Sequence, residues 1–149
     1  MDAELTMRVD VPAPPETVFA VATDWEHQDE WMLGTTVRVL RGDGRSVGSE
    51  VEAVTGVRGI GISDRMRITR WDAPLRCEVH HIGWLVRGTG IFAVRPRGPG
   101  AATLEWTEKL ELPLGVLGRL GWLLIRPVFG WGLRLSLRRF ADLCRTYSR

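Results

Sequence analysis

The stretch FGWGLRLSLRRFADLCRTY, residues 129–147, decides how the rest of the chain is read. Phe129, Leu133, Leu137, Phe140, Cys144 and Tyr147 recur at spacings of four, four, three, four and three. That spacing is one face of a helix with 3.6 residues per turn. Arg134, Arg138, Asp142, Arg145 and Arg149 make the opposite, charged face. A helix of this kind has to lay its apolar stripe on something large. The helix begins before the stretch, at Leu114, and runs almost to the end of the chain.

Working back from the helix, the preceding residues alternate as strands do. Leu104, Trp106, Leu110 and Leu112 face in, against Glu105, Thr107, Lys109 and Glu111, and Pro113 ends the sheet. Trp84, Val86, Gly88, Gly90, Phe92 and Val94 share a face before that. Leu75, Cys77 and Val79 face in one strand earlier, and Ile62, Met66 and Ile68 another earlier, with Trp71 on the outer side as a rim residue. Val47 to Thr55 and Thr35 to Arg41 read as two more strands, with Gly42-Asp43-Gly44 as a hairpin signal between them. At the start, Leu5, Met7, Val9 and Val11 alternate with Thr6, Arg8 and Asp10. Pro12, Pro14 and Pro15 stop that strand, and Pro15 opens a short helix with Glu16 in its first turn. A second short helix spans Trp25 to Trp31.

Short turns between successive strands predict an antiparallel meander with one apolar and one wet face. The expected fold is therefore α+β. It is a single domain, residues 1–149, with seven antiparallel strands curved around the C-terminal helix and two short helices between strands 1 and 2.

Composition excludes several function classes. The chain has 149 residues, 44% apolar and 26% charged, with a net charge of +2. Lys109 is the only lysine, and acidic residues are spread among the arginines, so no nucleic-acid footprint is present. Cys77 and Cys144 lack metal-type spacing and read as two buried thiols. Met1 to Thr6 carries Asp2 and Glu4 and no apolar core, which does not fit a signal peptide, and a cytoplasmic location is expected. Arg119, Arg126 and Arg134 interrupt the apolar C-terminal stretch too often for a transmembrane span. A peripheral contact with a membrane or a protein through Trp122, Phe129 and Trp131 stays open, as does plain core packing.

Three polar residues have inward parity: Asp64, His81 and Glu108. A buried carboxylate has to pair or shift its pKa. A histidine with one or two carboxylates is the equipment for general acid–base work on a bound ligand. The plainer reading puts Asp64 and His81 at a cavity mouth in solvent, flipped by bulges near strand ends. It pairs Glu108 with Arg119 or Arg126. His80 and His81 point to opposite faces and cannot share a metal, and no metal or other cofactor is expected. Gly88-Thr89-Gly90 lies inside a strand with no helix after it, so it is a bend in the sheet and no phosphate loop.

Three stretches carry a family resemblance. They are Pro14-Pro15-Glu16-Thr17-Val18-Phe19, Thr23-Asp24-Trp25 followed by Trp31-Met32, and Leu133 to Leu143 with Ser136-Leu137-Arg138-Arg139-Phe140. In these and in element order the chain resembles the START-like superfamily, also called SRPBCC or Bet v 1-like. The resemblance is to bacterial members of polyketide cyclase/dehydrase or coenzyme Q-binding type. It implies a helix-grip fold enclosing a cavity for an apolar small molecule, such as a lipid, a polyketide or a quinone-like compound. The expected wall is Val51, Met66, Val79, Trp84, Phe92 and Trp106, with Trp31 at the mouth. Leu117, Leu120 and Leu124 form a looser lid, because Gly115, Gly118, Gly121 and Pro127 weaken and kink the first half of the helix. The family it resembles also includes cyclases, so the alternative is a cyclase or dehydratase using Asp64, His81 or Glu108, the three residues of inward parity.

Overall fold

The computed structural model describes residues 2–57, 60–111 and 115–147. The inward assignment of Leu112, the strand stop at Pro113 and the helix start at Leu114 lie outside these residues. The elements run β1 (Asp2–Val11), α1 (Pro15–Ala22), a 3-10 helix (Trp25–Glu30), β2 (Thr35–Arg41), β3 (Glu50–Val57), β4 (Ile60–Asp72), β5 (Arg76–Ile82), β6 (Arg87–Pro96), β7 (Ala102–Glu111) and α2 (Val116–Thr146). All seven strands form one antiparallel sheet in the order β1-β7-β6-β5-β4-β3-β2. Six of its strands are a plain meander from β2 to β7, and β1 closes against β7 because the two short helices carry the chain across to the far edge.

The two faces of the sheet differ as the alternation requires. Outward carboxylates are bracketed by arginines from neighbouring strands: Glu50 lies 3.3 Å from Arg65 and 3.4 Å from Arg67, and Glu105 2.8 Å from Arg8. The arginine ends of these pairs are in solvent, which limits what each adds to stability. The inner face supplies the core. Val51, Ile68 and Leu104 are fully buried there, and Phe140 of α2 is fully buried against it.

The second half of α2 is the lock that its periodicity predicts: Gly130, Leu133, Ser136, Leu137, Phe140 and Cys144 are its buried residues. Phe140 meets the indole of Trp31 edge-on, with ring centroids 4.9 Å apart. The Ser136 hydroxyl accepts a hydrogen bond from the Leu33 amide at 3.1 Å, tying α2 to the turn before β2. The first half differs. No residue before Gly130 is buried, although helix continues through Pro127.

Several strand-end assignments are corrected. β6 starts at Arg87, and the chain bends from Gly83 to Val86, so Trp84 leaves the inward parity and is 86% exposed. Leu75 precedes β5 and is exposed. β3 starts at Glu50, and Val47 is exposed in the loop before it. Trp71 moves the other way. The β4–β5 register shifts between Ile68 and Arg70, which turns Trp71 inward to pack edge-on against Phe19 at 5.0 Å.

Candidate functional site

A cavity of about 450 Å³ lies between the inner face of the sheet, the segment from Trp25 to Thr35 and the middle of α2. That is within the roughly 300–1,000 Å³ range of small-molecule sites. Met66, Val79, Phe92 and Trp106 line it, as inward parity predicts. Phe129, Gly132, Leu133 and Ser136 contribute the helix wall.

Other expected wall residues sit elsewhere. Val51 and Trp31 are fully buried, behind the cavity surface. Trp31 is no mouth residue: it packs among Phe92, Trp106 and Phe140, and its indole N–H finds no acceptor among the described residues. Leaving a buried donor unpaired costs about 1–3 kcal/mol, which the aromatic packing has to offset. Leu117, Leu120 and Leu124 are 71%, 54% and 80% exposed and do not touch the cavity, so no lid is folded over it by these side chains.

The three polar inward residues converge on the cavity wall. His81 on β5 places Nδ1 2.9 Å from both carboxylate oxygens of Asp64 on β4. Its Nε2 lies 2.8 Å from Glu108 Oε2 on β7. The Trp106 indole N–H donates to the other Glu108 oxygen at 2.9 Å. This replaces the pairing of Glu108 with Arg119 or Arg126, and it moves His81 out of solvent, since its side chain is 4% exposed. Asp64 and Glu108 keep 20% and 14% exposure, so both reach the cavity.

Two glycines make the arrangement possible. His81 lies opposite Gly88, and Glu108 lies opposite Gly90, so β6 runs between the two side chains. Strands two apart are separated by about 10 Å, and a side chain on β6 would block the meeting. A Cβ at Gly90 would stand 3.2 Å and 3.3 Å from the two Glu108 oxygens. At Gly88, with φ +126°, a Cβ would stand 2.0 Å from the Lys109 carbonyl oxygen. Gly90 thus clears the lane across the inner face, and Gly88 is required by its backbone conformation and by the close approach of β7.

The charge balance follows. Burial alone disfavours the His81 cation, but its hydrogen bonds to both carboxylates and their negative charge outweigh it and hold the imidazole pKa up at about 10. Near neutral pH the ring is an imidazolium donating both N–H groups. His80, on the other face, is exposed. Cys77 also lines the cavity, and burial first, then the charge of Glu78, pushes its thiol up to about 12.

Parity was blind to part of the wall: Trp25, Gln28, Met32 and Leu33 come from the 3-10 helix and its exit, where no strand period applies. Ala53, Thr55 and Ile62 were findable, since they share parity with Val51 and Met66.

Sheet, lock helix and the cavity between them together define a helix-grip protein of the START/SRPBCC class. Residues 2–145 match the family described as polyketide cyclase / dehydrase and lipid transport, and the chain belongs to that family. Among solved structures it is similar to TTHA0849 from Thermus thermophilus, with a TM-score of 0.81 at 19% identity, covering 99% of this chain and 100% of that one. It is also similar to the Zhui aromatase/cyclase from a Streptomyces species, with a TM-score of 0.80 at 14% identity over 97% and 94% of the two chains. A START superfamily protein from Mycobacterium smegmatis gives 0.76 at 16% identity over 97% and 99%. No curated protein matches the chain by sequence.

Proposed function

We propose that the protein binds an apolar small molecule carrying one polar group, of the lipid, polyketide or quinone-like kind, in the cavity between sheet and α2. The observation that carries this reading is a cavity of about 450 Å³ with apolar and aromatic walls and one polar cluster on its floor. Apolar walls supply affinity in proportion to area, and a few convergent polar groups fix orientation. The Asp64 carboxylate is the natural partner for a ligand hydroxyl. Trp25 and Trp106 line the cavity, so their fluorescence reports on occupancy.

The test is a fluorescence titration with a fatty-acyl probe, followed by native mass spectrometry of the purified protein. Saturable one-to-one binding, weakened by Gly132→Trp, is the expected result. Absence of any saturable binding across acyl, polyketide-like and quinone probes removes the reading.

A second reading is a cyclase or dehydratase. The meeting of Asp64, His81 and Glu108 favours it, as does the likeness to an aromatase/cyclase. On this reading Asp64 takes a proton from a carbon next to a ligand carbonyl, and the adjacent imidazolium offsets the negative charge that develops. Both oxygens of the would-be base, Asp64, already lie 2.9 Å from His81 Nδ1, which leaves the carboxylate less free to take a proton and is why binding ranks first. Turnover of a β-keto chain by the native protein, lost in Asp64→Asn with probe binding retained, would reverse the ranking.

A further inference from the structure

The first half of α2 is built inside out. Val116, Leu120, Leu123, Leu124, Val128 and Trp131 are each between 54% and 80% exposed. At about 100° per residue they share an arc of about 140°. The buried residues of the second half, from Gly130 to Cys144, occupy the opposite side of the same helix. The apolar stripe therefore faces away from the core. Soluble monomers rarely leave a contiguous apolar surface of this kind uncovered.

Further along, the same outward side changes character. Arg134 and Arg138 continue the stripe, with Arg139 at its edge. Between residues 112 and 141 there is no acidic residue, and there are five arginines: Arg119, Arg126, Arg134, Arg138 and Arg139. None of the five is in an ion pair among the described residues. At the end of the sheet where β7 finishes, Ile60 of β4 and Trp84 before β6 are also 82% and 86% exposed.

We infer that this face docks on an anionic lipid bilayer, with the stripe from Val116 to Trp131 in the acyl boundary and the Arg134–Arg139 band at the phosphates. An apolar helix face flanked by arginine and tryptophan is the composition of an interfacial helix. Sixteen residues of helix span about 24 Å, short of the roughly 30 Å hydrocarbon core, and no helix of the described residues is long and apolar enough to cross a membrane. The helix therefore lies along the surface. A second copy of the chain fits less well, because the one carboxylate on this face, Asp142, lies 3.9 Å from Arg145 of its own helix and leaves Arg134, Arg138 and Arg139 of a partner unanswered. Phe129 and Gly132 line the cavity beside the exposed Val128 and Trp131. The docked helix thus places the cavity wall next to the bilayer. Loading of the cavity from lipid rests on the ligand reading above; docking itself does not.

The test is co-sedimentation with phosphatidylcholine vesicles and with phosphatidylcholine–phosphatidylglycerol vesicles, at low and high salt. The native chain partitions onto the mixed vesicles, and salt weakens it. Leu123→Glu with Val128→Glu lowers partition by about tenfold or more, while circular dichroism, melting temperature and fatty-acyl probe binding stay unchanged. Arg134→Glu with Arg138→Glu weakens binding to the mixed vesicles only. No partition at low salt overturns the inference, as does undiminished partition of the Leu123/Val128 variant. A dimer seen by light scattering, dissolved by that variant and with no vesicle binding, assigns the face to a second copy instead. Probe binding that fails while vesicles still bind removes the ligand reading and leaves docking intact.

Discussion

His81 on β5 and Glu108 on β7 are joined by a 2.8 Å hydrogen bond across an intervening strand. Side chains two strands apart ordinarily have a third side chain between them. Here the third positions are Gly88 and Gly90, and the missing side chains are what bring a histidine and a carboxylate together. The cluster is thus encoded partly by residues with no functional group.

Gly90→Val should break the bond without breaking the strand, since Gly90 lies within β6 and has no positive φ. Its branch would occupy the space of the Glu108 carboxylate. The expected outcome is a His81 imidazole whose pKa falls well below about 10, read from the ring resonances by NMR titration. Glu108→Gln should lower it in the same direction. An unchanged His81 titration in Gly90→Val would show that the lane is not what holds the pair.

Stability should depend on pH through the same residue. The folded chain holds the His81 proton up to about 10, whereas the ordinary value is 6.5. The contribution is complete below pH 6.5 and is lost as pH rises towards 10, because the folded state binds the extra proton in that window. A full proton corresponds to about 1.4 kcal/mol per pH unit. Urea denaturation between those limits should show stability falling with pH in the native chain and a shallower slope in His81→Gln. Equal slopes would place the pH dependence elsewhere.

Cys77 and Cys144 are both buried and free, and burial pushes each thiol up to about 12, Glu78 adding to the effect at Cys77. The thiolate is the reactive form. Ellman's reagent at mildly alkaline pH should therefore label neither in the folded protein and both after denaturation. Rapid labelling of Cys77 in the native state, suppressed by a cavity ligand, would instead show the cavity to be open to reagents of that size.

The sequence was most legible where one period ran unbroken. Leu104, Trp106, Glu108 and Leu110 alternate through β7, and all end on the inner side. The lock residues of α2 were legible for the same reason. Reading failed where the backbone changed phase. The bend at Gly83–Val86 carried Trp84 into solvent, and the register shift after Ile68 brought Trp71 in. The meeting of Asp64, His81 and Glu108 was half legible. Parity put each on the inner face, but proximity depends on register and on two absent side chains, which no single strand records. The first half of α2 was misread for another reason. Its leucines satisfy a helical period, and a period says that an apolar face exists without saying which way it turns.

The two halves of α2 should therefore differ in energy and in motion. Phe140 is fully buried and stacks edge-on against Trp31, so Phe140→Ala should cost about 3–5 kcal/mol. Leu124, 80% exposed, should cost under about 0.5 kcal/mol when cut to alanine. Backbone hydrogen bonds open most easily where few buried side chains hold them. Pro127 also removes one donor from the helix interior. Hydrogen exchange in peptides covering 116–127 should accordingly run well ahead of exchange in 133–144, and anionic vesicles should slow the first segment while leaving the second unchanged. Uniformly slow exchange along both segments, in the absence of vesicles, would mean that the exposed half is held by contacts its side chains do not display.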